Sequence, residues 1–599
     1  MRWIAAVIAL SMLPVSLRAQ APARPPKQPT RPVLPAQSGS HLTTQARSAM
    51  LKYLASRKTA RQQAISENLQ TPVVTADGSE KPLAELPYAA IVTLRQDGRV
   101  VASALGEGHD LARNIIAAAL QAMRSPRLPD RITSSVLLEL TLEVSVLGDP
   151  VEVKDDQLAD AIEPGIVGLR LTRGMHDPGL RVEGVEALLD TTYILPSRAY
   201  VLGWSAEQMK RHCLRTMDQN PLASGLPGAW HAFAALHFVD YPGSDGTWGL
   251  YRGKLLSPIE TLNEQSFQNH AQRIVGWLIR HLDEQGQLDV AQANLAEQCY
   301  AAWALARYSS LRETPQAQVA AEAILGYVAE HFVRADAQAD QAHVVTPKAD
   351  GQARATAMFL LASGALPQNE QTQAVRRQLA RWLSSKLDAL SEPQRSGDLA
   401  RVLLALYRAD LPDFRPPAKT LDGLLLRLGA GEPGQPPNAA LLQTTDVDTL
   451  VWTCRALLAA KPHNAAYVKK LGAMVGVIGA SQHLIAGPLD EFGGYGRPKP
   501  ATPTTGAAVA MLGESAAALA DDPQASKEML ENLAGPMDDA RRFCCRMTYR
   551  PSEAFFVAPA KRPDWNGAVR RVPHSSLPSV EAAAAALEAF LAPATPAER

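Results

Sequence analysis

The 599-residue chain holds only five cysteines, Cys213, Cys299, Cys454, Cys544 and Cys545. An odd, sparse set without a C-x-x-C pair supplies neither a disulfide framework nor a cysteine zinc site. Cys213, Cys299 and Cys454 fall in apolar helical stretches, where a thiol is an ordinary packing group. An excess of one charge is also lacking, with 60 Lys plus Arg against 60 Asp plus Glu. That balance removes the electrostatic pull toward nucleic acid or anionic lipid. Nowhere does an apolar run reach the roughly 20 residues of a membrane-crossing helix. The sequence therefore gives no reason to expect a metal, a cofactor, a nucleic-acid partner or an integral membrane span, and it leaves the oligomeric state open.

What is present reads as globular protein, 46% apolar and 20% charged. The length exceeds what one core serves, so two or more domains are expected. Arg2, the apolar stretch Trp3 to Val15 and the small residues after it resemble an export signal, with residues 1–19 removed after Ala19. The expected location is the periplasm, the cell envelope or the outside. Residues 20–41 form a linker, because Pro22, Pro25, Pro26, Pro29, Pro32 and Pro35 block helix and sheet.

The patterning then changes twice. Residues 42–253 mix periods: a helix over 42–67, a strand over Tyr88–Leu94, an Asp97-Gly98 hairpin turn, a helix over Leu111–Met123 and an alternating strand over Val136–Leu147. A short strand over Gly168–Thr172, a helix over Ser205–Met217 and a last strand over His231–Tyr241 follow. This predicts an α+β domain. Residues 265–595 are helical throughout, with twelve apolar stripes at three- and four-residue spacing. Their connections alternate short and long, with a break in the alternation at 390–395. Paired antiparallel helices of this kind close into an all-α (α/α)6 toroid, which gathers the long loops on one face. The overall class is thus multidomain, α+β followed by an all-α ring.

Several segments of the first domain resemble the AMME-chromosomal-region family: "LPYAAIVTLRQDGRV", "ARNIIAAALQAMRSPRLPD", "LLELTLEVSVLGDPVEV", "IEPGIVGLRL", "YILPSRAYVLGW" and "GLPGAW". The resemblance implies a fold more than a function. The family's usual Arg-Gly-Cys-Ile-Gly stretch is replaced here by Val101–Gly106, so chemistry needing that thiolate cannot operate. The turn Gly106–Asp110 that follows is read as a helix start capped by Asp110 rather than as a site built on His109. A redox or metal role for His109 with Cys213 is the weakest of three readings.

"NLAEQCYAAWALARYS" and "DEFGGYGRPKPATPTTGAAVAMLGE" resemble the α/α-toroid superfamily of terpenoid cyclases, prenyltransferase β-subunits and six-hairpin sugar-processing enzymes. The zinc ligands and the Asp-x-Asp-Asp acid motif of the first two groups are missing. Asp446 and Asp448 are read as helix-start acids. For sugar chemistry the candidate catalytic residues are Glu297, Asp490 and Glu491, with His483, Tyr495, Trp565 and Arg571 to bind substrate. Asp283, Glu284, Glu553 and His574 occupy the same class of long loop. The expected function is an exported protein whose ring face binds a glycan, peptide or lipid, with the first domain as an interaction module. The alternative is a polysaccharide-processing enzyme, a hydrolase, lyase or uronyl epimerase, working through rim carboxylates.

Overall fold

The computed structural model describes residues 29–592, apart from 33, 36, 57–64, 75–78, 130–131, 164, 174–189, 220–227, 243–245, 257–260, 292, 432–434, 461–464, 485–488, 497–500, 520–522 and 551–552. The expected export signal and the start of the linker lie outside the described residues.

The first domain opens with α1 (Ser38–Ser56), which begins inside the expected linker. A small hairpin, β1 (Pro72–Val74) and β2 (Glu80–Pro82), leads into β3 (Ala89–Gln96) and β4 (Arg99–Gly106). Asp97 and Gly98 join these strands with φ of 50° and 78°, the pair of positive values a two-residue hairpin turn demands. Then come α2 (Leu111–Ala122), α3 (Ser134–Glu139), β5 (Thr141–Leu147), β6 (Val151–Val153), β7 (Val167–Arg173) and β8 (Asp190–Ile194). Helices α4 (Pro196–Leu202) and α5 (Ala206–Asp218), the long β9 (Gly228–Asp240) and β10 (Trp248–Leu250) complete the domain.

The strands form one antiparallel sheet ordered β4-β3-β5-β9-β7-β8, with β6 and β10 also pairing to β9. Ala90, Val92 and Leu94 of β3 share a core with Ile115, Ile116 and Ala119 of α2. Leu169 and Leu171 of β7 share another with Met209, Cys213 and Met217 of α5. The strand expected over 136–147 starts only at Thr141. Before it, Thr133 accepts the Val136 N–H and starts α3, whose Leu137 is buried while Leu138 is 52% exposed. A cap and one helical turn override the apparent alternation there.

With the short helices Ala439–Thr444 and Arg562–Trp565 in their connectors, twelve further helices of ten or more residues among the described residues follow in outer–inner pairs. They are α6 (Glu264–Arg280) with α7 (Leu295–Arg312), α8 (Pro315–Phe332) with α9 (Gln352–Gly364), and α10 (Glu370–Ser385) with α11 (Ser396–Arg408). The remaining pairs are α12 (Ala418–Arg427) with α13 (Val447–Ala459), α14 (Ala465–Ala480) with α15 (Thr504–Leu519), and α16 (Pro523–Met547) with α17 (Val580–Leu591). The odd-numbered members from α7 form the inner ring: α7 packs on α9, α9 on α11, α11 on α13, α13 on α15, α15 on α17, and α17 returns to α7. The ring is closed. Its inner helices are small and apolar nearly all round, as in the "VEAAAAALEAFL" of α17, which is what burial on every side requires. Gly506 lets α15 approach α17, since a Cβ there would lie 2.2 Å from the Ala585 carbonyl oxygen.

Every outer-to-inner connector reaches the N-terminal ends of the inner helices, so all six gather on one face. Among them 333–351 carries a hairpin of β11 (Val333–Asp336) and β12 (Gln341–Val344). The break expected at 390–395 does not occur. The connector there runs over 386–395 and keeps phase, and its 3-10 turns Ala389–Ser391 and Pro393–Arg395 had the look of continued helix.

The ring axis is filled rather than hollow. The Arg455 guanidinium lies 4.6 Å from the Trp303 ring centroid and 5.0 Å from that of Trp452. It donates to both oxygens of Glu588 at 2.8 and 2.9 Å, and Tyr300 donates to Glu588 at 2.6 Å. Arg307 pairs with Glu588, and Arg455 and Arg408 each reach Glu514 at 3.0 Å. Burial opposes ionisation of Glu588, but Arg455 and Arg307 outweigh it and hold the carboxyl down at about 2.

Candidate functional site

The first turns of the inner helices carry charge around the loop-rich mouth. Asn294 caps α7, accepting the Glu297 N–H at 3.1 Å and donating to its carboxylate at 2.8 Å. Arg354 of α9 pairs with Asp398 of α11 at 3.0 Å, and Arg401 of α11 with Asp448 of α13 at 2.6 Å. Asp448 also accepts from Trp452 at 3.0 Å and from Thr504 of α15 at 3.4 Å. Glu581 stands in the first turn of α17. Asp446 occupies the N-cap and Asp448 the first turn of α13, as the helix-start reading expects, but Asp446 makes no side-chain capping bond and Asp448 adds an ion pair with Arg401.

Electrostatics separate these acids. Burial and then the charge of Glu581 push Glu297 up to about 7, against the pull of Arg571 and Arg354. Burial and then Asp448 push Glu581 up as well. Asp448 goes the other way: burial opposes its charge, yet Arg401 and the hydrogen bonds hold it below the usual carboxylate range. Neighbouring carboxyls driven to different protonation states are the usual raw material of acid–base catalysis.

Beside Glu297 opens a cleft of about 390 Å³, lined by Trp277, His281, Trp565, Arg571, Ser579 and their neighbours. One wall is the 548–579 connector, the other the 281–294 connector. Trp565 packs edge-on to Tyr549 and Phe556 at 5.1 and 5.6 Å, which fixes its ring at the cleft. Arg571 is exposed there, and among the described residues its guanidinium has no ion pair within 4.0 Å.

The structure thus brings together Glu297, Trp565 and Arg571. The other candidates lie elsewhere, with Asp490 and Glu491 against Arg252 and Lys254. Asp490 is fully buried, 3.0 Å from Lys254 and 3.4 Å from Arg252. Glu491 pairs with Arg252 at 3.0 Å and with His483 at 3.1 Å. Burial pulls Lys254 down to about 8, against Asp490. Tyr495 is buried behind them, its N–H donating to Thr505 at 2.9 Å. Asp490 and Glu491, with His483 beside Glu491, are committed to Arg252 and Lys254, and Tyr495 to packing inside the ring, which is the physical reason that they do not share the cleft. His574 is pushed down to about 4 by burial and then by Arg252. Glu581, Arg354 and Arg401 were missed. Their signal was positional: a charge in the first or second turn of alternate helices.

A second cavity of about 270 Å³ lies in the first domain, lined by Glu107, His109, Arg170, Tyr193, Leu105 and Phe233 among others. Asp110 caps α2 through the Arg113 N–H at 2.9 Å, as the turn reading expects. In the stretch that replaces the family's cysteine motif, Ala102 and Ala104 point into the core shared with α2. Cys213 lies in a different core, its thiol pushed up to about 12 by burial. Among the described residues no three His, Cys, Asp or Glu side chains cluster to hold a metal ion, and no helix is long and apolar enough to cross a membrane.

Two of the solved structures that the chain resembles show partial likenesses. The crystal structure of the uncharacterised protein PH0010 from Pyrococcus horikoshii shares 20% identity over 36% of this chain and 98% of that one, with a TM-score of 0.27. The polysaccharide lyase BACCELL_00875 shares 8% identity over 84% of this chain and 92% of that one, with a TM-score of 0.37. A search of curated proteins found no match. Residues 44–223 match the family model described as AMMECR1, and the domain that opens this chain is accordingly AMMECR1-like.

Proposed function

We propose that the mouth of the ring binds an acidic glycan and cleaves its glycosidic bond by proton transfer. The observation that carries this reading is Glu297, lifted to about 7 in a cleft that also presents Trp565 and the exposed Arg571. A carboxyl with a pKa near neutrality is half protonated where most enzymes work. In the simplest cycle Glu297 gives its proton to the departing glycosidic oxygen while Glu581 takes one from the attacking water. Trp565 offers a face to a pyranose ring, and Arg571 matches a uronate carboxylate. Were the chain exported, as its first residues lead us to expect, it would meet such polymers outside the cytoplasm.

The test is to incubate the full chain with uronate-containing and neutral oligosaccharides and follow new reducing ends. Turnover of the acidic set, lost in Glu297→Gln and Glu581→Gln, is the expected result. Elimination instead of hydrolysis would show as an unsaturated uronate. Binding of the same oligosaccharides without turnover would replace cleavage by recognition, and neither binding nor turnover would end the reading.

A further inference from the structure

The 548–579 connector has two sides. One lines the cleft with Trp565, Arg571 and Ser579. The other is fastened to the first domain at α4 and just after β10. Ser576 donates its N–H to the Tyr200 carbonyl at 3.2 Å and its hydroxyl to the Val201 carbonyl at 2.7 Å. Lys254 donates to the Pro573 carbonyl at 2.9 Å. Tyr200 itself is fully buried and belongs to the core of the ring, although it is carried by the other domain.

At the centre of this junction is Arg570, fully buried and next in sequence to Arg571. Its Nε donates to the Tyr200 hydroxyl at 2.7 Å, its Nη1 to the Arg546 carbonyl at 3.0 Å and its Nη2 to Glu553 at 3.1 Å. The guanidinium lies 3.7 Å from the Tyr549 ring centroid, and the Tyr549 hydroxyl donates to the Ser576 carbonyl at 2.8 Å. A buried guanidinium holds its place only when its donors are met, because each unmet charged donor carries a large desolvation cost. Among the groups that meet Arg570, the Tyr200 hydroxyl is the one supplied by the first domain.

We infer that the AMMECR1-like domain serves as a positioning partner for the cleft, with Tyr200 setting the place of Arg571 through Arg570. Tyr200 touches no substrate in this scheme; it is a positioning residue. The inference takes the cleft of the proposed function as the place where the effect is felt, but its evidence is the junction, not the reaction. A cleft wall held from a separate domain is stiff only while the two domains are docked.

The experiment is hydrogen exchange on the full chain carrying Tyr200→Phe, which removes one oxygen and keeps the ring. Amides of 569–578 are expected to lose protection about tenfold or more, while the inner helix 295–312 keeps its own. A second variant, Ser576→Ala, removes the bond to Val201 alone and is expected to loosen the same segment, which covers a failure of the tyrosine variant to fold. Unchanged protection at 569–578 in both variants would overturn the inference, and so would a uniform loss along the whole chain. Because exchange does not depend on turnover, a chain that cleaves no glycan could still pass this test, and an active chain could fail it.

Discussion

Glu581 stands on the inner helix next to that of Glu297, and after burial its charge is the main force lifting Glu297 to a pKa of about 7. The folded value of Glu297 therefore lies above its unfolded one. The stability linked to it is complete below about pH 4.3 and is lost as the pH rises through about 7. Glu297→Gln has no charge to bury. It should melt at the parent temperature near pH 4 and above it near pH 8, while turnover falls roughly 10²- to 10⁴-fold. Scanning calorimetry at the two pH values decides, and a lower melting temperature for the variant at the higher pH would contradict the assignment.

Arg571 faces the cleft with no ion pair within 4.0 Å among the described residues, while its charge still acts on Glu297 and Glu581. Its replacement by Gln should weaken binding of uronate oligosaccharides by about 10- to 100-fold, the worth of one charge-assisted hydrogen bond. Neutral oligosaccharides should be affected little. Titration calorimetry on both sets separates this from a general collapse of the cleft, which would weaken the two alike.

The axial charges make a stability prediction. Glu588→Ala leaves the fully buried Arg455 with Glu514 as its one remaining carboxylate partner among the described residues, and should cost about 3 kcal/mol in urea unfolding. The native carboxyl is held at about 2, below its unfolded value. Its contribution is present above about pH 4.3 and is lost as the pH falls toward about 2. The parent should therefore lose its advantage over the variant in strong acid, and a constant difference between them across that range would refute the pairing.

All five cysteines are free and buried, and burial pushes every thiol up. The native chain should react with thiol reagents only as fast as it opens, and all five groups should react promptly in denaturant. A thiol that is fast in the native chain would point to a reactive site that this fold does not contain.

The two architectures were legible because each rests on a local signal. Asp97-Gly98 marked the hairpin, and the stripe of Ile274 and Leu278 with the alternating connector lengths marked the paired helices. Half of the candidate cleft was legible for the same reason: Glu297, Trp565 and Arg571 sit on connectors or at a helix start. Asp490 and Glu491 had the same outward marks. What set them apart was Arg252 and Lys254, more than two hundred positions away, and no local pattern announces a partner at that range. Glu581 was missed because its importance comes from standing next to Glu297 across the closure of the ring. That adjacency exists only once the last helix meets the first inner one.

The Arg455 sandwich between Trp303 and Trp452, joined to Glu588 and Glu514, plugs the axis of the ring. A polymer cannot be threaded through such a ring and processed link by link as it passes. On the proposed function, a glycan reaches the cleft beside Glu297 from the connector face and its products leave by that face. Departing product and arriving substrate then compete for one doorway, so an enzyme of this shape would be expected to slow as its own product accumulates.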